Sequence, residues 1–145
     1  MKKLHDAMNV QLSNWTVMYV KLHHFHWYVK GPHFPVLHAK FEELYDMCAL
    51  KLDELAERLL AIGGRPASTM KEYLDLSTIK EGSKNPTEED MLSATIKDLS
   101  ALVEGLQQTA KIAEEEAEDA ATADLITGQV EELQKQIWML KATLG

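Results

Sequence analysis

The sequence predicts an all-α fold: a four-helix bundle with one long crossover and a short extra helix inside it. Three observations carry this expectation. Apolar residues recur every three or four positions along four long stretches, the repeat of a helix that buries one face. The four prolines and seven glycines mostly collect at three places between those stretches. No segment sustains the period-two alternation of a strand.

From Met8, one face runs Leu12, Trp15, Tyr19, Leu22, His26, Val29, apolar except for the histidine, and Gly31-Pro32 ends it. The second helix carries Leu37, Phe41, Leu44, Cys48, Leu52, Leu55, Leu59 and Ile62 and stops at Gly63-Gly64-Arg65-Pro66, with glycine just past the last periodic residue and proline soon after. Thr69-Met70-Lys71-Glu72 has the form of a capping box and opens a short linker helix reaching about Leu76. Asn85-Pro86-Thr87-Glu88 supplies a cap, a proline for the first helical position and early acids. The third long helix follows over about 87–115, on Leu92, Thr95, Leu99, Leu102, Leu106, Thr109 and Ala113. The fourth begins near Thr122 and buries Val130, Leu133, Ile137, Leu140 and Leu144. The long connection after the second helix makes one hairpin of helices one and two and another of helices three and four.

The 145 residues read as one domain, 1–145, long enough for a core that needs no metal or disulfide staple. A formal charge of −8 opposes sequence-independent affinity for nucleic acid. Cys48 is the single cysteine; it excludes an intrachain disulfide and suits a reducing compartment. The sequence shows neither a signal-type apolar stretch at its start nor a run of 18 apolar residues, so the expected location is the cytosol.

Five of the six histidines lie between His23 and His38. Any one of them would be unremarkable on a solvated helix face, but His26 and His38 each stand six residues from Pro32, so an antiparallel hairpin brings them level. Two neutral imidazoles opposed across a helix pair suit a divalent metal. A hard cation also wants oxygen, and Asp53 and Glu57 stand one turn apart on a single face of the second helix. The solvated side of an amphipathic helix would look the same. Fifteen residues separate His38 from Asp53, about 22 Å along a helix, too far for one ion. A shared metal therefore needs two chains. A two-fold axis crossing the second helix near Asp46 to Cys48 would set the histidines of one copy beside the carboxylates of the other, giving two equivalent sites.

The stretches Gln11-Leu12-Ser13-Asn14-Trp15, Lys21-Leu22-His23-His24-Phe25-His26-Trp27-Tyr28-Val29-Lys30-Gly31 and Leu37-His38-Ala39-Lys40-Phe41-Glu42-Glu43-Leu44-Tyr45 closely resemble the Dps mini-ferritins. Asp53 to Gly64, Lys71-Glu72-Tyr73-Leu74 and Trp138-Met139-Leu140 continue the match over nearly the whole chain. The resemblance implies a ferritin-like bundle and an inter-subunit ferroxidase centre, with His26 and His38 from one chain and Asp53 and Glu57 from its neighbour. It places Glu42, one turn beyond His38, as an outer ligand or an orienting group. The ferritin arrangement of two Glu-x-x-His motifs inside one bundle is absent, because helices three and four contain no histidine.

The same resemblance implies a bacterial cytoplasmic protein assembled as a hollow dodecamer from two-fold dimers. Such a cage oxidises Fe²⁺, preferably with hydrogen peroxide, and stores Fe³⁺ as mineral. Asp119 and Asp124 match the segment lining an acidic entrance for iron, where they would draw cations. Many relatives bind DNA through a lysine-rich tail; here only Lys2 and Lys3 precede the first helix, so DNA binding is expected to be weak or absent. Two other functions remain open at this stage: a nucleoid-protecting DNA binder with little ferroxidase role, and a structural cage holding zinc, which the same ligand types suit. His23 is expected beside the site without ligating. Trp15 and Trp27 are expected as core or interface aromatics, with quenching of stray oxidising equivalents a second role for Trp27. Cys48 is expected as a small buried apolar residue.

Overall fold

The computed structural model describes residues 1–83 and 86–145. Within them the chain runs α1 (Lys2–Tyr28), α2 (Phe34–Ala61), α3 (Met70–Leu76), α4 (Glu88–Lys111), a π-helical turn (Ile112–Glu116) and α5 (Ala120–Leu144). No strand forms among the described residues. α1 packs along α2 and α4 along α5, while α3 lies on α1. This is the expected pair of hairpins joined by a crossover.

The periodic positions fill the interface between the hairpins. Leu12, Trp15, Leu22, Phe41, Leu44, Cys48, Leu99, Leu102, Leu106 and Leu133 are fully or almost fully buried. Leu144, expected on the inner face, is exposed at the frayed end of α5. α1 starts more than a turn before Met8 because Leu4, buried as well, extends the same face. The one large polar aromatic group inside is satisfied: Trp15 Nε1–H donates to Gln129 Oε1 at 3.0 Å, and Gln129 Nε2 donates to the Lys51 carbonyl at 3.1 Å.

Helix ends follow local chemistry. Thr69 caps α3 by accepting from the Glu72 amide at 3.2 Å. At α4 the cap is Thr87, whose hydroxyl accepts from the Asp90 amide at 3.1 Å while the Asp90 carboxylate accepts from the Thr87 amide at 3.3 Å. Pro86 therefore precedes the helix instead of opening it, and the expected cap at Asn85 lies outside the described residues. The third long helix does not run smoothly to 115. Its hydrogen bonding widens at Ile112, with the Ala117 amide donating to the Ile112 carbonyl at 3.0 Å, and Glu118 turns the chain at φ 52°. α5 then starts two residues earlier than expected, at Ala120, because Asp119 caps it.

Side chains of α1 pin the crossover. Asn9 donates to the Arg65 carbonyl at 3.0 Å and accepts from the Ala67 amide at 2.8 Å. Asn14 accepts from the Thr78 amide and the Ser77 hydroxyl, both at 2.8 Å. Lys21 Nζ donates to the Lys80 carbonyl at 2.8 Å and pairs with Asp98 of α4 at 2.6 Å, and both side chains of that pair are largely buried. No helix among the described residues is long and apolar enough to cross a membrane.

Candidate metal centre

The α1–α2 connection is only five residues, Val29 to His33, so the last turn of α1 faces the first turns of α2. It is held down by α4: the His33 amide and the His33 ring both bond the Glu88 carboxylate, each at 3.0 Å. Gly31 permits this approach. Its φ is +134°, and a Cβ there would stand 2.5 Å from the Glu88 carboxyl carbon.

The tight hairpin stacks the imidazoles of His26 and His38, ring centres 3.8 Å apart and planes 12° from parallel. Each ring bonds the other residue's backbone. His26 Nδ1–H donates to the His38 carbonyl at 2.7 Å, and His38 Nδ1–H donates to the His26 carbonyl at 2.8 Å. A carbonyl only accepts, so each ring carries a proton on Nδ1, and in the neutral imidazole Nε2 keeps a free lone pair. That is the tautomer a metal ligand requires, fixed by hydrogen bonds of the kind that orient metal-binding histidines. Glu42 approaches the free face: its Oε1 is 3.8 Å from His26 Nε2, too long for a hydrogen bond. Two acceptors facing each other in this way leave room for a cation between them.

Two residues complete this end of the hairpin. Tyr45 stands edge-on to His26, ring centres 5.3 Å apart. His23 stacks face to face on Tyr45 at 3.7 Å and donates through Nδ1–H to the Tyr19 carbonyl at 2.8 Å. Desolvation and then the Glu42 and Asp46 carboxylates push the Tyr45 phenol above its ordinary value, so it stays protonated. The sequence did not single out Tyr45, although its position seven residues after His38 placed it two turns along the same face of α2. Trp27 is exposed, with its ring 5.4 Å from His23. Trp15 is wholly buried in the core.

Asp53 and Glu57 occupy the other half of α2. Both are exposed and line an open hollow of about 600 Å³ together with Arg58 and Leu125. Among the described residues neither carboxylate has a hydrogen-bond or ion-pair partner. The chain thus brings His26, His38 and Glu42 together at one end and Asp53 and Glu57 together at the other. It does not join the two sets: among the described residues, no group of three or more His, Cys, Asp or Glu side chains is placed to hold one metal ion.

The two remaining acids differ from each other. Asp119 accepts from the Thr122 amide at 3.0 Å and from its hydroxyl at 2.6 Å, and Arg58 Nη2 lies 3.3 Å away. These bonds to Thr122, helped by Arg58, hold its carboxyl below the usual carboxylate range. Asp119 is occupied as a cap, whereas Asp124 is exposed just past the first turn of α5. Burial pushes the Cys48 thiol far above its ordinary value, which leaves it inert.

A ferritin-like domain model matches residues 5–145. DNA protection during starvation protein 2 of Bacillus anthracis is 48% identical over 144 residues, 99% of this chain and 98% of that protein. The chain belongs to the ferritin-like Dps family. Solved Dps structures agree with the fold throughout. The Staphylococcus aureus Dps crystal structure has 41% identity and a TM-score of 0.96, covering 100% of this chain and 97% of that one. The Vibrio cholerae Dps structure has 35% identity and a TM-score of 0.94 over 99% of this chain and 90% of that one; it is described as a member of a broad superfamily of ferritin-like diiron-carboxylate proteins.

Proposed function

We propose that this Dps-family chain, acting as one ferritin-like domain over residues 1–145, is a ferroxidase that oxidises and stores iron and so protects a bacterial cytoplasm from oxidative damage. The observation that carries the reading is the reciprocal pairing of His26 and His38, two stacked rings whose Nδ1 protons are bonded to backbone carbonyls so that Nε2 of each neutral ring is available to a metal. Membership of a ferritin-like family with a diiron-carboxylate relative supports iron as the substrate.

In this mechanism His26 and His38 of one chain and Asp53 and Glu57 of a two-fold neighbour bind Fe²⁺. The imidazoles supply neutral nitrogen and the carboxylates supply charge, which together suit an ion between the hard and borderline classes. Glu42 adds an oxygen at the histidine end. Four ligands satisfy one ferrous ion, and a second is held more weakly through water. Hydrogen peroxide takes two electrons, one from each ion, so its O–O bond breaks without releasing hydroxyl radical. The Fe³⁺ then passes inward to form mineral inside a hollow dodecamer. Zinc fits the same ligand set and acts as a competitor. Asp124, together with Asp119 where its cap bonds allow, draws Fe²⁺ to the entrance. With −8 per chain, DNA is bound weakly or not at all at physiological salt.

Mixed assemblies test the shared site. His26→Ala and Asp53→Ala each abolish peroxide-dependent Fe²⁺ oxidation alone. In a randomly co-assembled equal mixture, half of the dimers are mixed and each of these holds one intact site, so about a quarter of wild-type turnover returns. Retained turnover in His26→Ala overturns the site. Absent recovery in mixtures shown by native mass spectrometry to contain both chains overturns its division between subunits.

A further inference from the structure

Glu88 is the first residue of α4, yet both of its carboxylate oxygens serve a different helix. Oε2 accepts from the His33 amide and Oε1 from the His33 ring Nδ1–H, each at 3.0 Å. The Glu88 side chain is largely buried while the His33 ring is mostly exposed, so the amide bond carries most of the hold. His33 is the N-cap of α2, and its own side chain makes no capping bond. Glu88 takes from α4 the part that the acidic residue of a capping box plays inside a single helix: it accepts from the N-cap amide and sets negative charge at the start of α2. Gly31 leaves the space for it, since a side chain there would run into the Glu88 carboxyl group.

The hold reaches the histidines in two ways. The His33 carbonyl accepts from the Leu37 amide at 3.0 Å, so fixing His33 fixes the first turn of α2, next to His38. Phe34, beside His33 in the chain, has its ring 4.9 Å from that of His38. His26 and His38 each bond the other's backbone across the hairpin, and this pairing survives only while the two helix ends keep one spacing and register.

We propose that Glu88 is a positioning residue: through His33 it clamps the α1–α2 connection and so keeps the His26 and His38 rings stacked, with Nδ1–H of each on a backbone carbonyl and Nε2 available to a metal ion. This deepens the reading of His26 and His38 as metal ligands and rests on it.

Two measurements on the assembled full-length protein test it: hydrogen exchange at the histidine ring carbons without metal, read by mass spectrometry, and titration with Co²⁺ alone. Glu88→Ala is expected to speed ring exchange at His26 and His38 several-fold. It should also weaken Co²⁺ binding about tenfold, the loss seen when the binding-competent arrangement falls to about a tenth of the molecules. Glu88→Asp keeps the charge and an acid at the start of α4 but is one methylene too short to reach His33. It is expected to change both readouts in the same direction, and it decides the matter if the alanine variant does not assemble. Thr69→Ala removes the α3 cap, a loss of stability away from the hairpin, and is expected to move neither readout. A wild-type value of either readout in Glu88→Asp, or equal changes in Thr69→Ala, overturns the proposal. His26→Ala separates the two levels. If it binds Co²⁺ as tightly as the wild type, the metal-site reading itself fails, whereas ring exchange in the metal-free Glu88 variants decides the clamp on its own.

Discussion

The two ends of α2 carry the proposed metal-binding side chains, prepared to different degrees. At the histidine end, His26 and His38 are stacked, bonded to each other's backbone and enclosed by Tyr45 and His23. At the other end, Asp53 and Glu57 point into an open hollow with no partner among the described residues. Ligand chemistry explains the contrast. An imidazole must be in the right tautomer before it can bind, and only a hydrogen bond at its other nitrogen settles that. A carboxylate is competent in any rotamer and stays well solvated until a cation arrives. The fold therefore invests order where the ligand needs it.

The largest expected effect tests whether the histidine end takes its rigidity from α1. Lys21→Ala leaves Asp98 charged, buried and unpaired, and should cost about 3–5 kcal/mol in chemical denaturation. Hydrogen exchange should show faster opening at the α1–α2 connection than around Asp53. Equal loosening at both places would break the comparison. Next, His38→Ala should abolish Fe²⁺ oxidation and also cost about 1–3 kcal/mol, because it strips the His26 carbonyl of its donor and the His26 ring of its stacking partner. Glu57→Gln should damage oxidation while moving stability by less than about 0.5 kcal/mol. Paired activity and denaturation measurements on the two variants check this.

Smaller effects divide the two candidate entrance acids. Asp119→Ala should cost about 1 kcal/mol near neutrality through the lost cap. The Asp119 carboxyl is held below its unfolded value, so its stabilisation is complete above the ordinary carboxylate range and disappears as pH falls through the lower folded value. Melting curves of the variant and the wild type should thus converge in acid. Asp124→Asn should leave stability alone and only slow Fe²⁺ uptake at low ionic strength, with the difference vanishing in high salt. Uptake that is unchanged at low salt would remove Asp124 from the entrance.

Much of this was legible in the sequence because it depends on period and on chain reach. The buried faces of α1, α2 and α4 follow the three-and-four spacing, and the equal distance of His26 and His38 from Pro32 translates into stacked rings. The Thr69 cap and the end of α3 at Leu76 were equally local, although the Glu72 carboxylate accepts from the Ser68 amide and so does not close the expected box. Other features needed three dimensions. The choice of Thr87 as the cap of α4 rests on a reciprocal bond with Asp90, and the widened turn at Ile112 has no periodic signature, since it ends the helix and no later turns follow to show a shift in the pattern. Tyr45 was hidden for a related reason: the same face of α2 holds several large side chains, and only the position of His23 across the hairpin distinguishes Tyr45 from them. The Arg58–Asp119 contact spans 61 residues and had no local trace.

Because one unbroken helix carries both His38 and Asp53, α2 works as a ruler. In the two-fold dimer proposed above, its length between those residues would set how far apart the two shared sites lie, and its helical phase which way each faces. Inserting a single residue between them would rotate one ligand set by about 100° relative to the other, and symmetry would impose the same error on both sites at once. A four-residue insertion, close to a full turn, would restore the facing but lengthen the ruler by about 6 Å. Under that proposal the number of residues from His38 to Asp53 is as constrained as the identity of the ligands themselves.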